Sequence, residues 1–304
     1  MILLYHGIVR SLRPVDRWCV GQAIPVQSFE RHLKWLRRHF RIVPLHEWLA
    51  LRFRGDGGAG KCIALTFDDG LDVTFRCVYP VLAEHRTPAT FFVATSHLEH
   101  GPLLWFNVIN ALCFEGAYEE LHVGSSVFSL RSLEKRREAR HALGRMAVGS
   151  GDVRAFGASL AASNPLPAAV KKEYEGMTHE QLRACGLDDL IEIGAHTLSH
   201  PLLGQLDEDR HAGEVVACKD LLGTVAGRPV RYFAYPGGDY TPRTLGLIRQ
   251  AGYEAAFCTI PRNLGEDGKF EIERIGVYSP ALYKLRLKAF GVVPLMRRLG
   301  FSVG

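Results

Sequence analysis

Thr66-Phe67-Asp68-Asp69-Gly70 ends the apolar run Cys62–Leu65. Two adjacent carboxylates at the end of a buried strand repel each other and lose hydration. Each therefore raises the other's pKa unless a cation or a shared proton compensates. If one carboxylate binds a metal, its neighbour stays free to act as a base, and Gly70 lets the chain turn outward. The same residues also suit a plain Asp-Asp-Gly turn at a strand end. A second apolar run, Ile191–Ala195, leads into His196-Thr197-Leu198-Ser199-His200. Thirteen His in 304 residues give about 0.5 His-x3-His pairs by chance, so the spacing alone says little. On a helical turn, side chains at i and i+4 share a face, and two imidazoles would reach one ion. Two His and one carboxylate leave coordination positions open for water and substrate, the pattern of a catalytic metal site.

Such residues need a rigid frame. Short runs rich in β-branched and aromatic residues recur at Ile2–Tyr5, Ile63–Phe67, Ala89–Ala94, Leu190–Ile193, Tyr232–Tyr235 and Ala255–Ile260. Between them lie segments of helical period, such as Phe29, Leu33, Trp35 and Leu36, and Glu214–Leu222. Strands alternating with helices predict a parallel α/β arrangement, and runs apolar on both faces predict strands covered by helices, as in a barrel. Gly55–Gly60 reads as a flexible surface connection. From Trp105 to Met177 the strand signal fades, and helices are predicted over the basic stretch Leu133–Met146 and over Ala155–Ala162. The reading is one domain, residues 1–304, with a mainly helical insertion at 105–177.

It is the combination of motifs that resembles a known family. Thr66–Gly70, His196–His200 and Tyr235-Pro236-Gly237-Gly238 are similar, in order, to the first three motifs of the polysaccharide deacetylases, whose shared unit is the NodB homology domain. Leu4-Tyr5-His6-Gly7 and Met177–Pro201 also resemble that family, which is akin to the family 4 carbohydrate esterases. The resemblance implies a distorted (β/α) barrel of about seven strands that removes N-acetyl groups from amino sugars with a divalent metal, zinc first and cobalt, nickel or manganese as alternatives. It implies Asp69, His196 and His200 as metal ligands, Asp68 as general base, and Tyr235, Pro236 and Gly237 on the substrate and oxyanion side. Many members carry a Leu-x-His near the C-terminus as general acid, but no histidine follows His211 here. Circularly permuted members place it first, and Leu4-Tyr5-His6 matches them, which makes His6 the acid. The third motif has Ala234 where an arginine usually orients the base. Arg274 is expected to reach in from another strand end, with Arg231 as the fallback. Trp18 or Trp105 is expected to wall the acetyl pocket.

Composition bounds the rest. Lys and Arg number 37 against 32 Asp and Glu, a net +5. That bias is too mild for a dedicated nucleic-acid binder, and 47% hydrophobic residues exclude a disordered chain. The seven Cys include no Cys-x-x-Cys pair, so buried thiols in a reducing compartment are expected. The opening Met1–Gly7 has no basic leader, and no run approaches the ~18–20 apolar residues of a membrane span. These features place the protein in the cytoplasm, acting on a lipid-linked or nucleotide-linked saccharide precursor of surface-polysaccharide or lipopolysaccharide assembly. The basic insertion helix and the basic, apolar stretch Leu285–Phe301 suggest peripheral contact with the inner membrane face. Rival readings are a catalytically impaired glycan-binding relative and a deformylase or deacylase of a small linked sugar. His97, His100, His122, His141, His179 and His211 lack carboxylate partners at metal spacing and are expected at the surface.

Overall fold

The computed structural model describes residues 1–12, 23–54, 60–115, 118–265 and 268–291. The six apolar runs form strands close to where the sequence predicts them: β1 (Ile2–Tyr5), β2 (Cys62–Phe67), β3 (Ala89–Val93), β4 (Ile191–Ala195), β5 (Tyr232–Ala234) and β6 (Ala255–Cys258). Two more pieces, β7 (Ile272–Glu273) and β8 (Ile275–Gly276), flank Arg274. All pair in parallel, in the order β7-β6-β5-β4-β3-β2-β1-β8. Since β7 pairs with β6 while β8 pairs with β1, one short segment meets both edges and nearly closes a barrel. Arg274 is the seam, its N–H donating to Cys258 O at 2.8 Å. The expected seven strands correspond to the seven chain segments along this path, the last of them split in two, and Arg41–Ile42 adds a short ninth strand that pairs with β2 off the path.

Eleven helices are described: α1 (Val26–His39), α2 (Leu45–Phe53), α3 (Asp72–Glu84), α4 (Trp105–Phe114), α5 (Leu133–Gly149), α6 (Val153–Ser163), α7 (Ala168–Lys172), α8 (His179–Leu187), α9 (Glu208–Ala226), α10 (Pro242–Gln250) and α11 (Leu282–Ala289). Alternation along each strand divides the core. Leu3, Tyr5, Leu65, Phe67, Phe91 and Val93 join Phe29, Leu33 and Leu36 of α1 and Val78 and Leu82 of α3 in the layer outside the sheet. Ile2, Ala64, Phe92, Tyr232 and Phe257 point the other way and meet Leu45 and Trp48 of α2. Helices on the outside leave one end of the barrel free for chemistry.

The insertion has a core of its own. Leu112, Leu121, Leu130, Leu143 and Leu160 are buried together among α4, α5, α6 and their connections. Each such side chain stabilises by about 1.5–3 kcal/mol, enough for a satellite unit to hold its shape. The expected loss of strands is incomplete. Glu120–Val123 and Ser126–Ser129 form an antiparallel hairpin, hidden from sequence because each is only four residues long and just one of the eight positions, Leu121, is buried. Bridges Leu71–Gly176 and Leu103–Glu175 tie the returning end of the insertion to the barrel. Trp18, most of the Gly55–Gly60 connection and the chain from 292 onward lie outside the described residues.

Candidate active site

Parallel strands in register deliver their C-terminal ends together. Tyr5 pairs with Phe67, Val93 with Ala195, and Ala195 with Phe233. The residues that follow, His6, Asp68, His196 and Tyr235, therefore surround one opening. A cavity of ≈ 960 Å³ lies there, with His6, Asp68, Asp69, His196, His200 and Arg274 on its wall.

Neighbours on a strand point to opposite faces, so two consecutive carboxylates can share a site only if the chain leaves the strand between them. Asp69 does so with φ 74°, followed by Gly70 at φ 70°. A Cβ on Gly70 would sit 2.6 Å from Val93 Cγ1, so glycine is required there on both counts. The turn puts Asp69 Oδ1 3.6 Å from His196 Nε2 and 3.4 Å from His200 Nε2. One donor atom from each of the three lies within 4.8 Å of the others.

The two histidines do not share a helical turn, as the spacing suggested. They stand on a loop in which Thr197 has φ 67° and His200 φ 60°. Pro201 explains the difference, because the residue before a proline is disfavoured in the α region. Hydrogen bonds fix the loop instead. His200 N–H donates to Thr197 Oγ1 at 2.9 Å, and Glu214 of α9 accepts from the Ser199 N–H at 2.7 Å and from the Ser199 hydroxyl. His196 Nδ1 lies 2.8 Å from Ala234 O, which can only accept. The proton is therefore on Nδ1, and the Nε2 lone pair faces Asp69. Burial also pushes the His196 pKa down to about 4, so the ring is a neutral donor at physiological pH. A carboxylate and two imidazoles, one oriented by a carbonyl behind it, fit a divalent cation of the zinc kind.

Asp68 and Arg274 form a bidentate pair inside the barrel, with Nη1 2.6 Å from Oδ1 and Nη2 2.7 Å from Oδ2. Nη1 also donates to Thr66 Oγ1 at 3.2 Å, and the guanidinium lies 4.9 Å from the Phe92 ring centre. Burial pushes the Asp68 pKa up, but the charge of the Arg274 guanidinium beside it outweighs burial and holds the carboxyl below its usual range. Asp69 is likewise held low, burial being outweighed by its bond with His200 and by the neighbouring imidazoles. The fallback Arg231 is elsewhere. It precedes β5, lies 3.5 Å from Glu192 and covers the Tyr232 ring.

Among the other expected residues, His6 is half-buried on the cavity wall, its ring 5.8 Å from that of Tyr278. Tyr235 and Gly237 line the cavity, but the Tyr235 hydroxyl is turned away, donating to Phe270 O at 2.9 Å. Pro236 is buried and is not among the lining residues. Trp105 is on the wall and donates Nε1–H to His200 O at 3.1 Å. His97 and His211 are not at the surface. Both are buried, and His97 Nε2 donates to Met177 O at 2.9 Å, a bond across 80 residues that no local pattern announces. Five of the six described cysteines are buried, and none of the six is in a disulfide. Sequence reasoning missed Phe106, whose ring is 4.7 Å from that of His200, and Tyr278. Their signals were slight: Phe106 follows Trp105, and Tyr278 lies four residues beyond Arg274.

The profile of the polysaccharide deacetylase family matches residues 55–141 and 160–256. His6 and Arg274 lie outside both stretches. YxkH of Bacillus subtilis (strain 168), named as a polysaccharide deacetylase, is 22% identical over 92% of this chain and 72% of its own. A poly-β-1,6-N-acetyl-D-glucosamine N-deacetylase of Staphylococcus aureus (strain MSSA476) is 28% identical over 29% of each chain. Among solved structures, the Streptococcus pyogenes deacetylase PplD in complex with acetate superposes with a TM-score of 0.60 at 19% identity, over 93% of this chain and 96% of that one. IcaB from Ammonifex degensii gives 0.59 at 20% identity, over 95% and 96%. These likenesses agree on the barrel, and the profile covers more than half of the sequence with both metal-type motifs inside it: the chain belongs to the polysaccharide deacetylase family.

Proposed function

We propose that this protein is a metal-dependent hydrolase that removes an N-acetyl, or another small N-acyl, group from an amino sugar of a glycan or glycan precursor. The observation that carries the reading is the Asp69, His196 and His200 cluster beside the buried Asp68–Arg274 pair, all in one cavity. Asp69, His196 and His200 hold the cation, with zinc the first choice for that donor set. When bound, a divalent cation there supplies Lewis acidity, making water more acidic and polarising an amide carbonyl. Asp68, kept ionised and fixed in orientation by Arg274, accepts the proton of the attacking water, and His6, at the end of the adjacent strand, delivers a proton to the leaving amine. Gly237 and the Tyr235 backbone line the side where an oxyanion develops.

The name of the staphylococcal relative supports an N-acetylated glucosamine polymer as one substrate type. We place the reaction in surface-polysaccharide or lipopolysaccharide assembly, on the cytoplasmic side, with peripheral contact to the inner membrane. The main reason to consider an impaired, glycan-binding relative was the alanine at position 234. Arg274 now accounts for the arginine on Asp68, so that reason falls away. Metal content of the purified protein, with acetate release from N-acetylglucosamine oligomers, tests the reading. About one equivalent of metal, lost together with turnover in Asp69→Ala, is expected. A metal-free protein whose melting ignores chelators and which releases no acyl group would overturn it.

A further inference from the structure

Helices α4 and α5 of the insertion make part of the cavity wall. Arg140, His141, Gly144 and Arg145 of α5 all line the cavity. At 100° per residue these positions occupy one side of the helix, spanning about 140°. Apart from Asp68 and Asp69, the lining has no carboxylate, while this one helix adds two guanidiniums and an imidazole. Among the described residues neither arginine has an acidic partner. Arg140 donates Nε–H to the neutral Asn110 Oδ1 at 2.8 Å, which fixes its plane while leaving its charge uncompensated. Arg145 is exposed, lines the cavity and has no hydrogen-bond or ion-pair partner among the described residues.

Gly144, between them, is an independent observation. Glycine in a helix interior is less favourable than alanine by roughly 1 kcal/mol. No packing demands it here, because a Cβ at Gly144 would meet nothing within 4 Å. The glycine instead keeps space open beside the two arginines. A cavity of ≈ 960 Å³ is at the upper end of the roughly 300–1,000 Å³ typical of small-ligand sites. It has room for more than an acylated hexosamine. One arginine satisfies a carboxylate, as Arg274 does for Asp68; two arginines with a histidine match a group of higher charge.

We propose that α5 forms a phosphate subsite, and that the preferred substrate is an N-acyl amino sugar bearing a phosphate or diphosphate. This rests on the deacetylase reading above and names the substrate class of that same site. The phosphate can belong to a nucleoside diphosphate sugar or to a polyprenyl diphosphate sugar, since the chemistry offered to the arginines is shared.

Three substrates of one N-acetylhexosamine separate the outcomes: its methyl glycoside, its nucleoside diphosphate and its polyprenyl diphosphate. Each is assayed with the metal-loaded full chain for acetate release and, separately, for binding by calorimetry. At least one phosphorylated substrate is expected to exceed the methyl glycoside in kcat/KM by about ten- to a hundredfold, the scale of hydrogen bonds to a charged group. The better of the two names the carrier. Arg140→Gln and Arg145→Gln should each bring the ratio of phosphorylated to neutral substrate towards one. Lys135→Gln, on the same helix but paired with Glu138, should leave that ratio as it is. Gly144→Leu, which improves helix propensity, should keep the melting temperature and lose the preference. Equal kcat/KM for all three substrates, or a preference indifferent to both arginines, would overturn the subsite while acetate release upheld the deacetylase reading. Conversely, arginine-dependent binding of a phosphorylated sugar with no acetate release from any substrate would support the subsite and overturn the reaction.

Discussion

Asp68 and Asp69 are neighbours in sequence for which we propose opposite tasks, and single substitutions would separate them. Asp69→Ala removes one of three donors and is expected to abolish metal binding. Asp68→Asn leaves the donor set whole, so metal content should persist while kcat falls by about 10²–10⁴, the usual contribution of a positioned base. An Asp68→Asn protein that lost its metal would refute this division. Arg274 is tied to the same carboxylate with 1% of its surface exposed. Arg274→Met should cost about 3–5 kcal/mol, because it leaves a buried charge without its partner. Pairing it with Asp68→Asn should recover most of that stability in denaturant titrations and none of the activity. At this scale much was legible. Adjacent carboxylates at a strand end are costly enough to draw notice, the histidine pair gained meaning only beside them, and the alanine at 234 pointed to an arginine from elsewhere. What was not legible is direction. Leu133–Met146 reads as basic, but no periodicity says that Arg140 and Arg145 look into the cavity while Lys135 looks out.

At the scale of elements, the long strands were visible as apolar runs, whereas β7 and β8 are two residues each and interrupted by the arginine they position. The histidine loop was misread as helical although Pro201 was in plain view. Loops this specific depend on distant partners, as Ser199 does on Glu214 of α9. His97 is another such partner. It sits in the turn after β3 and holds the end of the insertion through Met177 O, close enough that a Cβ on Gly176 would lie 2.3 Å from its ring. Burial pushes its pKa down to about 4 from an unfolded value of 6.5. The neutral ring is the folded form, so the unfolded chain binds the extra proton. The stability it contributes is complete above pH 6.5 and is lost as pH falls from 6.5 towards 4, by up to about 1.4 kcal/mol per unit. His32, also lowered to about 4 by burial, acts in the same sense. His97→Gln keeps a donor for Met177 O and does not titrate. The fall in melting temperature between pH 7 and 5 should therefore shrink by a few degrees in this variant. An unchanged acid slope would show that His97 is already protonated in the folded protein.

For the whole molecule, the barrel supplies the metal-type cluster and the buried Asp68–Arg274 pair, the insertion supplies a cationic wall, and α11 supplies a further surface that neither requires. Leu285 and Ala289 of α11 are buried in the barrel's outer core. Tyr283, Leu287 and Phe290 are 62%, 46% and 63% exposed, and their i, i+4, i+7 spacing puts them on one stripe. Exposed apolar side chains aligned with cations such as Lys284 suit an anionic lipid surface better than bulk water. No described helix is long and apolar enough to cross a membrane, so contact through α11 would be superficial. In such contact the apolar stripe would enter the headgroup region, and each nearby Lys or Arg would add roughly 1 kcal/mol. The two parts of that attraction respond to different variables. Raising salt from about 0.05 to 0.5 M screens the cations and leaves the stripe intact, whereas Leu287→Glu spoils the stripe and adds a repelling charge. Sedimentation with phosphatidylserine vesicles should therefore pellet the protein at low salt, less of it at high salt, and little of Leu287→Glu at either. Neutral phosphatidylcholine vesicles should capture only a small fraction. Protein that stays in the supernatant with anionic vesicles at low salt would remove the membrane from this account, and would favour a nucleotide-linked over a lipid-linked sugar as the molecule presented to Arg140 and Arg145.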